Sequence, residues 1–171
     1  MPEYHMNTAG EVPVDSFADG RYAPSTAPED THSFADLDAF TQAYIEAMFW
    51  TSEAPGVSTE EWQATEDHDE GSIPGDVGFG DIAPQALASI MADCAAFQAL
   101  PSWQAAMADE ACEGDESQGG HDFWLTRNRH GAGFWDRGNG VWPDKGKALT
   151  DDAHAFGEVD CYLGGDGKVY V

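Results

Sequence analysis

Lysine and arginine are missing from most of this chain. From Tyr22 to Gly120 there are ninety-nine residues without a Lys or an Arg, and the same stretch contains twenty Asp and Glu. Contacts to nucleic-acid phosphates need basic side chains, so this absence argues against direct nucleic-acid binding. Unrelieved like charge destabilises a compact state, so salt, bound cations or a basic partner must offset it.

The few basic residues are unevenly placed. Arg21 precedes the acidic stretch, and the other six, Arg127, Arg129, Arg137, Lys145, Lys147 and Lys168, all follow it. The formal net charge of −25 divides into −3 for residues 1–21, −20 for residues 22–120 and −2 for residues 121–171. The surplus of acids therefore belongs to the middle of the chain.

Cysteines and long apolar runs are also scarce. The three cysteines, Cys94, Cys112 and Cys161, are an odd number at wide spacings, which argues against a disulfide framework or a thiolate zinc site. No apolar run approaches the ~20 residues of a membrane span. The N-terminus lacks the basic-then-apolar pattern of a signal peptide. We expect a cytoplasmic protein with no membrane contact, metal or cofactor.

Helical periodicity dominates the first part of the chain. Residues 1–34, with four prolines, are predicted as an extended, partly ordered arm, and residues 35–171 as one domain. Apolar residues recur at helical spacing in residues 36–50 and 84–99, whereas the acid-rich residues 51–81 indicate a solvated loop. The expected core consists of Leu37, Phe40, Tyr44, Leu87, Ile90, Phe97, Phe123, Phe134 and Cys161.

Beyond residue 120 the composition shifts from an acidic helical part, residues 35–120, to a β-rich part, residues 121–171. Residues 121–127 and 133–137 are predicted as the strands of a hairpin, followed by a short helix. A second hairpin is predicted around the turn Gly164-Gly-Asp-Gly167. The expected fold is α+β, with two N-terminal helices packed on a small C-terminal antiparallel sheet of order ββαββ.

The densest group of chemically active side chains lies between residues 121 and 137. It comprises His121, Asp122, Trp124, Arg127, Asn128, His130, Trp135, Asp136 and Arg137. Across a hairpin, the two His and two Asp could converge to hold a divalent metal or act as acid and base. Alternatively, ion pairs and aromatic pairs simply close the hairpin. No recognised metal or nucleophile spacing is present, so we favour the structural role and assign no catalytic residue.

The same run carries a resemblance. The sequence HDFWLTRNRHGAGFWDR, preceded by helices such as TQAYIEAMFWTS and ALASIMADCAAFQA, resembles a family of small acidic proteins carried by tailed phages and prophages. The similarity covers roughly residues 35–171. It implies a phage-related origin in a host cell but no chemistry, because no activity is established for that family. Arg129 departs from the pattern, since a turn-forming glycine is expected there.

Three hypotheses account for the acidic middle. The first is nucleic-acid mimicry: twenty carboxylates match ~34 Å of duplex, within the ~40 Å diameter of a domain of this length. Such a protein would occupy the DNA- or RNA-binding channel of a basic host defence or transcription protein. The second is salt adaptation, which predicts acids over every surface. The third, with the least support, is a metal-dependent enzyme built on the His and Asp hairpin.

Two kinds of residue are candidates for a contact surface. The highest density of acids predicts partner binding by Glu60, Glu61, Glu66, Asp67, Asp69 and Glu70. Tryptophans 50, 62 and 103 could form an exposed patch, although a position in or near the core is the better expectation for Trp.

Overall fold

The order of the elements defines a mainly helical chain. A computed structural model describes residues 32–54, 57–60, 73–137 and 140–171, with the main chain alone at residues 53 and 54. His32–Val171 form one compact unit. The elements are α1 (Ala39–Ser52), β1 (Glu53–Ala54), β2 (Ile73–Pro74), α2 (Pro84–Gln98), α3 (Pro101–Met107), α4 (Glu116–Arg127), α5 (Gly146–Ala155), β3 (Tyr162–Leu163) and β4 (Val169–Tyr170). Among the described residues no helix is long and apolar enough to cross a membrane.

Helices form where the spacing of apolar residues predicts them before residue 110. The carboxylate of Asp38 accepts the Thr41 backbone N–H at 2.7 Å, so this residue caps α1. Both α2 and α3 begin with proline, which fits the first turn because its missing N–H has no partner there. Among the described residues, α3 is a helix before residue 110 in addition to the two that were expected.

The largest correction concerns residues 121–127, which lie in α4 and not in a strand. Asp115 caps this helix by accepting the Gln118 backbone N–H at 2.8 Å. Residues 122–127 are all buried, so no polar face marks a helical period, and Phe, Trp and Thr favour strands on propensity alone. Residues 133–137 form a turn. The first predicted hairpin is therefore wrong.

The second predicted hairpin is confirmed, although its strands are short. β3 and β4 pair antiparallel, and the Gly164 N–H donates to the Lys168 carbonyl at 2.7 Å. Gly167 has φ of 75°, a conformation that favours glycine. β1 and β2 form a separate parallel pair that was not predicted. The fold is thus mixed helix and small antiparallel sheet, compatible with α+β, but the order ββαββ is not found.

An aromatic cluster fills the core. The Phe97 ring stacks on Phe123 with centroids 4.2 Å apart and lies parallel to Phe134 at 5.5 Å. Phe40 stacks on the same Phe97 ring at 5.8 Å. All nine residues predicted for the core are buried. Phe123 is expected in the core whether its segment is a helix or a strand. The core was therefore predicted correctly although α4 was predicted as a strand.

Helices α1 and α4 touch backbone to backbone at Gly120. A Cβ built on Gly120 would meet the carbonyl oxygen of Phe40 well inside van der Waals contact. One residue earlier, a Cβ on Gly119 would meet the Trp103 ring. The absence of side chains at Gly119 and Gly120 therefore lets α4 approach α1 and the Trp103 ring closely.

We expect Gly120→Ala to lower the free energy of unfolding by about 2 kcal/mol or more, because overpacking against a rigid backbone outweighs the ~1 kcal/mol that alanine adds to a helix. Urea denaturation measures the change. Gly131→Ala is the matched control, since a Cβ there meets no heavy atom within 4 Å. Equal effects of the two substitutions would contradict the close approach of α1 and α4.

Candidate functional site

The run from residue 121 to residue 137 forms the end of α4 and the turn that follows it. Three of its polar side chains, those of Asp122, Thr126 and Arg127, are at most 2% exposed. A buried polar group is stable only when it is hydrogen-bonded, so each of them must have partners. Those partners show what the run does in the folded protein.

Asp122 is fully buried and accepts hydrogen bonds on both carboxylate oxygens. Oδ2 accepts from the Trp142 indole N–H at 2.8 Å. Oδ1 accepts from Arg137 Nε at 3.0 Å and from Gln118 Nε2 at 2.9 Å. These charge-assisted bonds join α4 to the turn after it and to the chain leading into α5. Both carboxylate oxygens accept hydrogen bonds within the fold, so Asp122 holds these segments in position.

His121 lies beside that carboxylate at the surface. Its Nδ1 is 3.4 Å from Asp122 Oδ1, and a third of its side chain is exposed. With Arg137 and Gln118 it lines an open cleft of about 390 Å³, whose other lining residues are Ala43, Glu46, Asp115 and Ser117. The cleft presents an imidazole and a guanidinium between carboxylates, which suits a polar contact with another molecule.

Arg127 is the second buried centre of the run. Nη1 donates to the Tyr44 hydroxyl at 2.9 Å and to Asp93 Oδ2 at 2.8 Å. Nε donates to the Gly157 carbonyl at 2.9 Å, and Nη2 to the Phe156 carbonyl at 3.2 Å. Burial raises the pKa of Tyr44, although Arg127 acts in the opposite direction. One guanidinium therefore fixes α1, α2 and the end of α5 around α4.

Trp124 and Asn128 extend this structural role. The Trp124 indole N–H donates to Thr51 Oγ1 at 2.8 Å. The Asn128 side chain donates to the Trp124 carbonyl at 3.1 Å and accepts the Val159 backbone N–H at 2.8 Å. Both side chains satisfy backbone or buried groups within the fold.

Arg129 occupies the position where a glycine was expected, and its backbone shows why. Its φ of 55° lies in the left-handed region. The His130 N–H donates to the Leu125 carbonyl at 2.9 Å and the Arg129 N–H to the Thr126 carbonyl at 3.1 Å, so the residue ends α4 in a Schellman motif. Its guanidinium pairs with Glu158 at 2.6 Å on the surface.

The remaining residues of the run do not join the first ones. His130, Trp135 and Asp136 are exposed, and His130 lines clefts other than the one at His121. In the described part of the chain no three His, Cys, Asp or Glu side chains are grouped to hold a metal ion. The alternative in which two His and two Asp converge across a hairpin does not fit this structure, because His121 and Asp122 lie on α4 whereas His130 and Asp136 lie in the segment after it.

The cysteines lack the properties of nucleophiles. Burial raises the pKa of Cys161 to about 11, against the effect of a hydrogen bond with Ser52. Burial also raises the pKa of Cys94 and of Cys112. A cysteine reacts as its thiolate, so these thiols stay protonated and unreactive near neutral pH.

The predicted acidic contact surface falls largely outside the described residues. Glu60 is described and exposed, whereas Glu61, Glu66, Asp67, Asp69 and Glu70 lie in the range 61–72, which is not described. A second dense group lies in the described segment that leads into α4 and includes the first residue of that helix. Its exposed acids are Glu110, Glu113, Asp115 and Glu116.

Of the three tryptophans considered for an exposed patch, Trp50 is exposed, Trp103 is buried and Trp62 lies outside the described residues. Trp50 is 69% exposed at the end of α1, whereas Trp103 is 2% exposed. Glu46 precedes Trp50 by one helical turn on the same face. That spacing of an acid and an aromatic residue is the sequence signal that could have identified an outward-facing position.

We expect Asp122→Asn to lower the free energy of unfolding by ~3–5 kcal/mol, because the substitution removes the buried carboxylate that pairs with the partly exposed Arg137 and turns an amide N–H₂ towards N–H donors. Asp136→Asn, at an exposed position, should change it by less than ~0.5 kcal/mol. Thermal and urea unfolding measure both. Equal stability of the two variants would contradict a structural role for Asp122.

Comparison with known proteins identifies no relative of this chain. No protein-family model matches the chain, and neither curated proteins nor solved structures give a match.

Proposed function

We propose that this protein acts by binding: its acidic surface engages a basic, nucleic-acid-binding protein and competes with the DNA or RNA of that partner. The observation that supports the proposal is that the described Lys and Arg side chains bond to groups of the protein itself. A surface that binds phosphates needs free Lys and Arg, and a surface that imitates phosphates needs free carboxylates.

The described cations are engaged within the fold. Five of them form ion pairs: Arg127 with Asp93, Arg129 with Glu158, Arg137 with Asp122, Lys145 with Asp109 and Lys147 with Asp151. The sixth, Lys168, donates to the Gly80 carbonyl at 3.3 Å. Hydrogen bonds from the Ala111 N–H and from Lys145 lower the pKa of Asp109, so that carboxylate stays ionised. Arg129 and Lys147 are exposed but pair with Glu158 and Asp151, so the described surface offers a partner mainly negative charge.

Such a surface favours protein partners lined with Lys and Arg and repels nucleic acid itself. Complementary charge speeds the encounter and suppresses wrong partners. We assign the contact to Glu60 and the acids of residues 61–70, with the acids of residues 110–116 as a second group. The resemblance of residues 121–137 to phage and prophage proteins would make the partner a host defence or transcription protein in the cytoplasm.

Salt adaptation is the second candidate, and one observation favours it. Exposed carboxylates are not confined to the acidic middle, because Asp136, Asp144 and Asp160 are exposed in the last fifty-one residues. A protein of saline cytoplasm carries acids on every surface and relies on counterions to screen them. The two candidates therefore differ in how much salt the fold requires.

Immobilised duplex DNA is first loaded with DNA-binding proteins from bacterial lysate at ~0.1 M salt. We expect the wild-type protein to release one particular DNA-binding protein from this DNA. A variant with Glu60, Glu61, Glu66, Asp67, Asp69 and Glu70 changed to Gln and Asn should release much less. The matched control neutralises six exposed acids elsewhere: Asp136, Asp144, Asp151, Glu158, Asp160 and Asp166. Release by both variants alike would exclude residues 60–70 as the contact, and no release by the wild type would contradict mimicry.

The melting temperature should rise between ~0.01 and ~0.15 M KCl, as the Debye length falls from ~30 to ~8 Å, and then level off. Relief of repulsion between carboxylates is the physical reason. Differential scanning calorimetry measures the transition, and the variant with six neutral residues at positions 60–70 should gain less. A rise that continues to molar KCl would support salt adaptation instead.

A further inference from the structure

An apolar groove lies along the outer face of α1. One wall is formed by Ile45 and Phe49, one helical turn apart, and the opposite wall by Phe34 and Phe79, whose rings meet edge to face at 5.3 Å. Trp50 completes the lining, and the groove encloses about 360 Å³. Only Ile45 of these five is fully buried. The side chains thus present an apolar surface that the described residues leave open.

The groove is held in shape by the fold. The Gln42 side-chain amide donates to the carbonyls of Phe34 at 3.0 Å and Leu37 at 2.9 Å, which fixes the segment before α1 against the helix. Asp81 accepts the Gly78 N–H at 3.0 Å and so closes the turn that carries Phe79. A preformed groove loses less conformational entropy when it binds.

One acidic side chain, that of Glu46, borders the groove on the α1 side. Glu46 is the one charged residue among its described lining residues, and it also lines the cleft that contains Asp115 and His121. The Trp50 ring lies 6.2 Å from the His121 ring, so the two depressions adjoin. At the far wall the Lys168 ammonium donates to the Gly80 carbonyl. The apolar surface therefore continues into a polar cleft whose carboxylates are those of Glu46 and Asp115 and which also contains His121 and Arg137.

We infer that this groove seats a basic amphipathic segment of a protein partner. Apolar side chains of the segment would fill the groove between α1 and the Phe34–Phe79 pair, and its Lys or Arg would face Glu46 and Asp115. Trp50, at the junction, can contact an aliphatic side chain and also offer its ring face to a cation. The inference rests on the proposed function and assigns it a second set of contact residues, none of which is among residues 60–70.

Charge selects this occupant over a second copy of the chain. Two copies with a formal net charge of −25 each repel one another, and a symmetric contact would bring Glu46 and its acidic neighbours towards their counterparts. A segment with alternating apolar and basic faces gains from both features of the groove. Helix-in-groove recognition uses anchors at i, i+3, i+4 and i+7 for such a surface.

A synthetic amphipathic peptide tests the inference. A labelled helix of ~15 residues with Leu on one face and Lys on the other should bind, as measured by fluorescence anisotropy at ~0.05 M salt. Two matched peptides separate the contributions: one replaces Lys by Glu, and the other keeps the composition but scrambles the order. We expect no binding of the first and at least ~10-fold weaker binding of the second.

Matched variants locate the contact. Trp50→Ala should weaken binding by ~10-fold or more, and Glu46→Gln should weaken it and reduce its salt dependence. Trp135, which is 54% exposed, and Asp136 beside it provide the controls Trp135→Ala and Asp136→Asn, which should bind as the wild type does. Unchanged melting temperatures show that all four variants are folded.

Three outcomes would overturn the inference. The first is no binding of the Leu and Lys peptide, and the second is equal binding by wild type, Trp50→Ala and Glu46→Gln. The third is a dimer in sedimentation that Trp50→Ala dissociates, which would assign the groove to a second copy. Release of proteins from immobilised DNA remains an independent measure of the proposed function, so the two ideas can fail separately.

Discussion

The close approach of α1 and α4 is the constraint on which the rest of the structure depends. Gly120 brings the two backbones into contact, and the aromatic rings of Phe40, Phe97 and Phe123 pack around that contact. Because α4 is buried on nearly every side, its polar residues had to find partners inside the fold. Asp122 and Arg127 do so, and each joins segments that are far apart in the sequence.

The few Lys and Arg side chains help to hold the core of this acidic chain together through the bonds that they make. Arg127, the most buried of them, neutralises Asp93 and at the same time supplies hydrogen bonds to three other groups. Lys145 holds Asp109 at 3.0 Å, which ties the acidic linker to the segment before α5. Arg127 and Lys145 therefore each serve as a counterion and as a connector between segments that are distant in the sequence.

The sequence predicted the core and the regular helices well, because amphipathic periodicity is a direct consequence of one-sided burial. It failed at α4 for the same reason: residues 122–127 are buried all round, and their Phe, Trp and Thr carry β propensity. The spacing Asp115-x-x-Gln118 was a usable capping signal. The structural role of Asp122 and Arg127 was anticipated, but not their partners Trp142 and Tyr44, which are 20 and 83 residues away.

The distance between Tyr44 and Arg127 along the chain has a consequence during synthesis. Ribosomes release proteins from the N-terminus, so residues 22–120 leave the exit tunnel as an unbroken polyanion. α1 then lacks both the helix that covers it and the guanidinium that binds its tyrosine. The core can therefore form only after the last third of the chain, which contains Arg127, has been synthesised. During that interval the nascent acidic segment is screened by dissolved cations, because Arg127 and the other C-terminal cations have not yet been synthesised.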